Sequence, residues 1–177
     1  MSDVGIRLLS APVSDADLDG LAGVLVDCVA GGASVSFMAP LTHERARAFW
    51  AGVAGDVARG DRALLVADDE SGVVGTVQLA LRLPENQPHR ADLVKILVHR
   101  RARRRGVGEA LLRAAEDTAR ELGRTLLVLD TASADAERLY VRAGWQRVGA
   151  IPDYALLPGG GLSHTVLYYR RLGPPAG

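Results

Sequence analysis

The segment from residue 91 to residue 122 constrains the fold most, because it joins an apolar strand directly to an amphipathic helix. The strand is "ADLVKILVH", and "RRARRRGVGEALLRAAE" follows it without a linker. Five arginines occupy positions 100–105, and Gly106 and Gly108 stand where the helical pattern opens. A strand that runs into a helix through a short turn is typical of chains that layer helices on a sheet. The sequence therefore predicts an α/β fold.

The rest of the chain alternates between helical and strand patterns. No internal repeat or low-complexity linker divides it. The predicted segments are a helix from 17 to Gly31, a helix capped by Thr42 and ended by Gly60, a strand hairpin at 62–83, a strand at 125–130, a helix at 134–144, and strands at 146–151 and 165–172 around a loop at 152–164. We expect one domain over 1–172, with about seven strands and about four helices, and a flexible tail at 173–177.

Charge and composition narrow the classes of partner. The 21 basic residues balance 21 acidic ones, so no net positive field would draw the protein to nucleic acid or to an anionic membrane. No apolar run approaches the ~20 residues that a bilayer span needs, and no leader-like segment opens the chain. The single Cys28 excludes an internal disulfide, and four scattered histidines offer no metal-ligand spacing. We expect a cytoplasmic protein without a metal and without membrane or nucleic-acid partners.

The turn before the helix has the chemistry of a phosphate-binding site. The first N–H groups of a helix lack intrahelical partners and, together with the helix dipole, bind an anion. Glycines let the backbone approach that anion closely, and arginines of the same turn add charge-assisted hydrogen bonds. The residues expected to contact the anion are Arg103, Arg104, Arg105, Gly106, Val107, Gly108 and Glu109.

Other interpretations of this turn compete with a phosphate site. A run of charge is usually a solvated surface, and this remains the expectation for the side chains of Arg100 and Arg101. A dinucleotide-binding G-x-G-x-x-G fingerprint fails, because its third glycine would fall at Leu111. A nucleic-acid surface would need basic residues beyond one turn and interleaved aromatic residues, which the sequence lacks. The phosphate site is therefore favoured.

Two segments resemble the cofactor-binding segments of the GCN5-related N-acetyltransferases, the GNAT superfamily. Arg103-x-x-Gly106-x-Gly108 follows that family's acetyl-CoA signature, Gln/Arg-x-x-Gly-x-Gly/Ala. About thirty residues further on, "LVLDT" and "AERLYVRAGW" resemble the second cofactor-contacting segment, with Tyr140 and Trp145 as its aromatic residues. The resemblance spans most of the chain. It implies the GNAT fold, a mixed and mainly antiparallel sheet flanked by helices, with acetyl-CoA as co-substrate.

The resemblance also implies roles in acetyl transfer. A backbone N–H near Leu97 or Val98, where the family's strand bulges and splays from its neighbour, would polarise the thioester carbonyl. Tyr140 would face the sulfur from the start of its helix and act as general acid. The competing interpretation is a core tyrosine on an amphipathic helix, flanked by Leu139 and Ala143. The motif favours the catalytic role.

The general base that deprotonates the acceptor amine is expected among carboxylates on neighbouring strands. Asp130 ends an apolar run, and Asp92 opens its strand. Each is either a solvated or capping group or a group aimed at the amine, and the resemblance favours the second. His99 and His164 are alternatives, since a histidine beside arginines tends toward the neutral form that suits a base.

A narrower resemblance concerns the acceptor. The stretches "GGASVSFMAPL", "ADLVKILV" and "LLVLDT", with the ending P-x-Y…P-x-G-x-L…T-x-x-Y, resemble the tabtoxin-resistance acetyltransferases. This implies direct transfer in a ternary complex to an amine of a small molecule, such as an amino-acid-like toxin or antibiotic, and is compatible with a homodimer. The implied substrate contacts are Ser34, Phe37, Met38 and Asp130, although Phe37 and Met38 would equally suit packing under their loop.

Other functions stay open on the sequence alone. One is a CoA-binding regulator without catalysis, and another is an acetyltransferase that acts on a protein or peptide amine. A third is a nucleic-acid-binding protein that uses Arg100 to Arg105. Cys28 is not expected to carry the acetyl group, because its place on an apolar helical face predicts burial.

Overall fold

The computed structural model describes residues 4–173, in which four α-helices and seven strands follow one another. The helices are α1 (Asp15–Ala30), α2 (His43–Ala58), α3 (Val107–Glu121) and α4 (Ala134–Arg142). The strands are β1 (Gly5–Leu8), β2 (Arg62–Asp69), β3 (Gly72–Ala80), β4 (Arg90–Val98), β5 (Leu126–Thr131), β6 (Gln146–Leu156) and β7 (Leu162–Arg171). The tail predicted at 173–177 lies, except for Gly173, outside the described residues.

The seven described strands form one sheet in the order β1-β2-β3-β4-β5-β7-β6. β4 and β5 run parallel, and the other pairings are antiparallel. This mixed, mainly antiparallel sheet confirms the predicted fold class. Each face of the sheet has its own core. The α1/α2 face buries Leu21, Leu25 and Trp50, whereas the α3/α4 face buries Leu111 and Tyr140.

Side chains at the helix starts fix where the helices on the α1/α2 face begin. The hydroxyl of Ser14 accepts the N–H of Asp17 at 3.1 Å ahead of α1. The hydroxyl of Thr42 accepts the N–H of Arg45 at 3.2 Å ahead of α2, which confirms the predicted cap. The Thr42 cap fixes the end of the loop that joins the two helices, and this loop carries three of the predicted substrate contacts.

β4 and β5 separate soon after they pair. Arg90–Asp92 pair with Leu126–Val128, and the pairing ends there. β4 nevertheless continues to Val98, and β5 continues to Thr131. The two strands therefore leave between them a gap that joins the α1/α2 face to the α3/α4 face.

A β-bulge interrupts β4 beside this gap. Gln78 of β3 pairs with Val94, whereas Thr76 pairs with Leu97, so one residue of β3 stands opposite two of β4. Lys95 lies in the bulge with a left-handed φ of 51°. The bulge was expected at Leu97 or Val98 and lies just before them.

The prediction of a loop at 152–164 is wrong for most of these residues. β6 and β7 extend into it from both sides, so that only 157–161 connect them. Pro152 and the glycines are typical of a loop, but β6 is an edge strand, where a missing N–H costs no ladder bond. The register shift between Ile151 and Ala155 takes up the local irregularity. The hairpin therefore reaches further from the sheet than the sequence indicated.

Gly75 of β3 lets α3 lie close against the sheet. A Cβ at this position would stand 3.0 Å from the carbonyl oxygen of Leu97 and from a methyl of Leu111, and 3.2 Å from Val107. We expect Gly75→Ala to lower the free energy of unfolding by about 1–3 kcal/mol, because a backbone oxygen cannot move aside cheaply. Denaturant unfolding followed by circular dichroism measures the change.

Gly52→Ala is the matched control for that substitution. Gly52 is exposed in the interior of α2, and a Cβ there would meet no atom within 4 Å. Alanine should raise the free energy of unfolding by about 0.5–1 kcal/mol, because it favours the helix. If Gly75→Ala were as stable as the wild type, the close approach of α3 to β3 would not be required.

Candidate functional site

The turn at 103–106 ends in the N-cap of α3. Gly106 has a φ of 76°, a left-handed conformation that favours glycine. No side chain in the described part of the chain caps α3, so the N–H groups of Val107, Gly108 and Glu109 have no capping partner. A Cβ built on Gly106 would meet no atom within 4 Å, so the space beside it is open. These N–H groups and this space suit an anion.

Three of the five arginines at 100–105 are ion-paired. Arg100 donates to Asp27 of α1 through its backbone N–H at 2.9 Å and through Nε. Arg101 donates to both carboxylate oxygens of Asp69, at 2.9 and 2.8 Å, and Arg105 lies 3.4 Å from the same carboxylate. Both Arg100 and Arg101 are exposed, as expected for a solvated surface, but each is also ion-paired. They anchor the turn to α1 and β2.

The ion pairs lower the pKa of both carboxyl groups. Burial raises the pKa of Asp27, but hydrogen bonds from the backbone and side chain of Arg100 more than offset it. Hydrogen bonds from the Arg101 side chain and from the N–H of Ser71 lower the pKa of Asp69. Both carboxylates stay ionised at neutral pH, which keeps the turn in place.

Arg103 and Arg104 differ from the other arginines of the cluster. Arg103 Nε donates to the carbonyl oxygen of Val98 at 3.2 Å. Arg104 is exposed and forms no ion pair with another residue of 4–173. Three arginines are expected to contact an anion. Of these, Arg103 donates to a carbonyl and Arg105 faces Asp69, so the guanidinium of Arg104 is the most available for a ligand.

Backbone alternation distinguishes Val98 from Leu97. The N–H of His99 donates to the carbonyl of Val74 on β3 at 2.8 Å. Because successive backbone groups of a strand point to opposite sides, Leu97 also turns its N–H toward β3, where Thr76 is its register partner. The N–H of Val98 points to the other side, into the gap left by β5. Of the two expected donors, only Val98 is free of the β3 ladder.

Tyr140 lies in the core of the α3/α4 face beside the gap. Its side chain is 2% exposed, and its ring centroid lies 5.8 Å from that of Trp145 and 5.7 Å from that of Tyr168. Its hydroxyl makes no hydrogen bond to another described residue. Burial, with a smaller contribution from the charge of Asp130, raises the pKa of Tyr140 well above its usual range. The phenol therefore keeps its proton at neutral pH.

The expected position of Tyr140 at the start of its helix is wrong. Ser133 caps α4, accepting the N–H of Ala136 at 3.3 Å, and the helix ends at Arg142. Tyr140 thus lies in the last turn of a short helix. The beginning of α3 packs close by, since a Cβ on Gly108 would stand 3.5 Å from Leu139.

Asp92 and Asp130 lie on the same face of the sheet. Asp92 pairs with Val128, two residues before Asp130, so side-chain alternation places both carboxylates on one side. Arg90 Nη1 donates to Asp92 at 2.7 Å, and Thr165 Oγ1 donates to Asp130 at 2.7 Å. Burial raises the pKa of Asp92, the charge of Arg90 opposes this, and the charge of Asp130 adds to it. Asp92 therefore has the properties of a base that titrates closer to neutral pH.

The two histidine alternatives are less well placed for proton transfer. His99 Nδ1 accepts the backbone N–H of Arg101 at 3.2 Å, which caps the short 3₁₀ turn at Arg100–Ala102. His164 is exposed on β7. Neither histidine contacts Asp92 or Asp130 in the described structure.

The loop between α1 and α2 lies over the α1/α2 face. The ring of Phe37 packs edge-on against Phe49, with centroids 5.2 Å apart, so Phe37 is at least partly a packing residue. Met38 is 43% exposed, and Ser34 is half-buried. The N–H of Ala39 donates to the carbonyl of Pro158 at 2.9 Å, which joins this loop to the β6–β7 turn.

An apolar cavity of about 440 Å³ opens beside the same loop. Its lining consists of Val26, Ala30, Ala39, Pro40 and Leu41. None of the predicted substrate contacts lines it. The cavity therefore does not identify the acceptor site.

Sequence reasoning missed two polar residues that the fold brings to this region. Lys95 is the only lysine of the chain and interrupts an apolar strand, a signal that could have singled it out. Gln78 is fully buried in β3, beside the β4 bulge. In the sequence it is a polar residue in a mostly apolar run, and only the sheet register places it here.

Within residues 4–173, His, Cys, Asp and Glu side chains do not gather into a group of three that could hold a metal ion. In the same described range, every helix is too short or too polar to span a membrane.

The chain is similar to known proteins both in sequence and in structure. The family model described as "Acetyltransferase (GNAT) family" matches residues 32–145, which include β4, the turn, α3 and α4. An N-acetyltransferase from Staphylococcus aureus Mu50 has a similar structure, with a TM-score of 0.79 and 18% identity over 97% of this chain and 100% of that one.

Two further solved structures differ in the substrates that their names indicate. A ribosomal-protein-alanine N-acetyltransferase from Brucella melitensis has a TM-score of 0.78 and 23% identity, over 95% of this chain and 99% of that one. A phosphinothricin acetyltransferase from Sinorhizobium meliloti, in complex with acetyl-CoA, has a TM-score of 0.76 and 20% identity, over 95% and 89%. At these identities the likeness concerns the fold.

Proposed function

Because the chain belongs to the acetyltransferase (GNAT) family, we propose that it transfers the acetyl group of acetyl-CoA to an amine of a small molecule. Direct attack would occur in a ternary complex. The observation that carries the proposal is the gap between β4 and β5, which joins the face of Tyr140 to the face of Asp92 and Asp130. A donor and an acceptor bound on opposite faces would meet there.

The start of α3 fits the diphosphate of acetyl-CoA. The uncapped N–H groups of Val107, Gly108 and Glu109 would hold the phosphate oxygens, and Arg104 would add a positive charge. Open space at Gly106 supports this fit. Because the strand–turn–helix unit brings this site next to the gap, the thioester would lie near Val98 and Tyr140.

Residues on both faces of the sheet would then act in different steps of acetyl transfer. An alkyl amine with a pKa of about 10.4 is mostly protonated at neutral pH, so Asp92 would accept a proton from it directly or through a water. The amine nitrogen attacks the thioester carbon, and the N–H of Val98 stabilises the negative oxygen. The N–C bond thus forms first. When this tetrahedral intermediate collapses, the C–S bond breaks and Tyr140 donates its proton to the departing thiolate, while the second proton of the nitrogen returns through solvent to the phenolate.

Several observations favour a small acceptor over a protein segment. The hydrogen bond between Ala39 and Pro158 closes the α1–α2 loop onto the β6–β7 turn, on the side from which an acceptor would enter. A protein acceptor would have to displace that contact. The resemblance to tabtoxin-resistance acetyltransferases favours an amino-acid-like toxin or antibiotic, with Ser34, Phe37, Met38 and Asp130 in contact with it.

The other candidate functions are distinguishable from this one. A nucleic-acid surface is disfavoured, because Arg100, Arg101 and Arg105 are already paired with carboxylates. A silent regulator would bind acetyl-CoA but release no thiol with any amine. Calorimetry with acetyl-CoA, followed by a thiol-release screen of small amines, tests the proposal. Absence of binding would contradict it. A cytoplasmic location and a homodimer remain parts of the proposal.

Gly106→Asp tests the phosphate site. The substitution adds a negative charge where the diphosphate would bind, so we expect the affinity for acetyl-CoA to fall about 10-fold or more. Gly60→Asp is the matched control, because Gly60 has a similar φ of 74° and equally open space but follows α2. Equal affinities of the two variants, measured by calorimetry, would rule out the start of α3 as the phosphate site.

A further inference from the structure

The bulge in β4 directs Lys95 toward the α1–α2 loop. Its Nζ lies 3.3 Å from the hydroxyl of Ser36 and 5.5 Å from the ring centroid of Phe49. The carboxylates of Asp92 and Asp130 occupy this same face of the sheet. The face therefore presents negative groups beside the gap and a positive group further along β4.

The ammonium of Lys95 lacks a counter-ion within the described structure. No carboxylate of residues 4–173 lies within 4.0 Å of it, whereas the neighbouring Arg62 and Arg90 are paired with Asp56 and Asp92. Burial, followed by the charge of Arg62, lowers the pKa of Lys95, although Asp130 acts in the opposite direction. A partly desolvated cation without a counter-ion is costly, so an anion that reached it would be bound favourably.

Gln78 provides a further donor on this face. Its side chain is fully buried, and its Oε1 accepts from Arg62 Nη1 at 2.7 Å. Its Nε2 has no hydrogen-bond partner in the described residues. Its register partner Val94 immediately precedes Lys95. A buried amide without a partner, on the same face of the sheet as an ammonium without a counter-ion, indicates a site for an oxygen anion.

We propose that Lys95 binds a carboxylate of the acceptor and thereby selects amines that carry one. The inference rests on the proposed function and deepens it. The acceptor would place its amine at Asp92 and Asp130 and its carboxylate at Lys95, with Ser36 as an additional donor. This arrangement matches a zwitterion, with each charge opposite its counterpart.

Kinetics with matched acceptors tests the role of Lys95. Thiol release is measured with L-leucine, L-methionine, L-norleucine and L-lysine, and with the amide and the decarboxylated amine of each. Lys95→Met should lower kcat/KM for the amino acids by about 10- to 100-fold, chiefly through KM, because one charged hydrogen bond is lost. It should leave the decarboxylated amines unchanged. Lys95→Arg should restore part of the loss, and Arg82→Met, an exposed cation elsewhere, should have no effect.

The proposal is overturned if Lys95→Met lowers kcat/KM equally for the amino acids and for their decarboxylated amines. It is also overturned if the wild type has the higher kcat/KM with the decarboxylated amines. If no amine is acetylated, the proposed function fails, and a binding measurement decides on Lys95. With labelled lysine, the chain gives one side-chain NMR signal, because Lys95 is its only lysine. Titration of the full chain, with CoA present, should shift this signal with the amino acids and not with their decarboxylated amines. No shift would overturn the proposal.

Discussion

Tyr140→Phe is expected to lower kcat by about 100-fold or more, while the affinity for acetyl-CoA and the free energy of unfolding change little. The variant keeps the ring that packs against Trp145 and Tyr168. It loses only a hydroxyl that bonds to no other described residue. Stability should therefore survive, and the loss should concern the proton that the departing thiolate needs. Steady-state kinetics, calorimetry and denaturant unfolding on the same preparations measure the three quantities.

Tyr168→Phe is the matched control. Tyr168 belongs to the same aromatic cluster, but its hydroxyl donates to Glu137 at 2.6 Å. Its removal should cost about 1 kcal/mol of stability, as for a typical hydrogen bond, without a large change in kcat. Full turnover in Tyr140→Phe would assign Tyr140 to the core alone, and another proton donor would have to be sought.

Asp92→Asn is expected to lower kcat by about 10²- to 10⁴-fold, because it removes the proposed general base and keeps the size of the side chain. A base acts in its deprotonated form. The activity of the wild type should therefore rise with pH through the pKa of Asp92, which burial raises above that of an ordinary carboxyl group. In the variant this dependence should be absent. Rates of thiol release at saturating substrates across the pH range measure both effects.

Asp130→Asn separates the two carboxylates. The charge of Asp130 raises the pKa of Asp92, so its removal should move the rising limb of the pH profile to lower pH. We also expect a higher KM for the acceptor, since Asp130 is proposed to contact it. If Asp130→Asn abolished turnover and Asp92→Asn did not, the general base would be Asp130.

Local sequence predicted those parts of the site that depend on neighbours along the chain. The strand, the arginine–glycine turn and the start of α3 follow from a change of periodicity within about twenty residues, so they were visible without the fold. The cap at Thr42 was predicted for the same reason. The family itself was predicted from two short segments, and the match over residues 32–145 confirms it.

Errors arose where distant strands decide the geometry. The hairpin of β6 and β7 extends through a proline- and glycine-rich stretch because pairing between the strands and the freedom of an edge strand outweigh local composition. Arg100 and Arg101 are exposed as expected, but their ion pairs with Asp27 and Asp69 were not predicted, because these partners lie far away in the sequence. Such partners are specified by the packing of α1 and β2 around the turn.

Local sequence patterns suffice to predict the order of the elements, the start of the helix that would hold a phosphate, and the family. Which backbone N–H is free of the β3 ladder depends on the fold, because Val98 and Leu97 are distinguished only by the register of β4 against β3. The fold also turns Lys95 toward the α1–α2 loop, without a counter-ion among residues 4–173, since the bulge reverses the simple alternation of a strand. Hydrophobic periodicity depends only on residues that are near one another in the sequence. Strand register, strand divergence and ion pairing depend on residues that meet only in the folded chain.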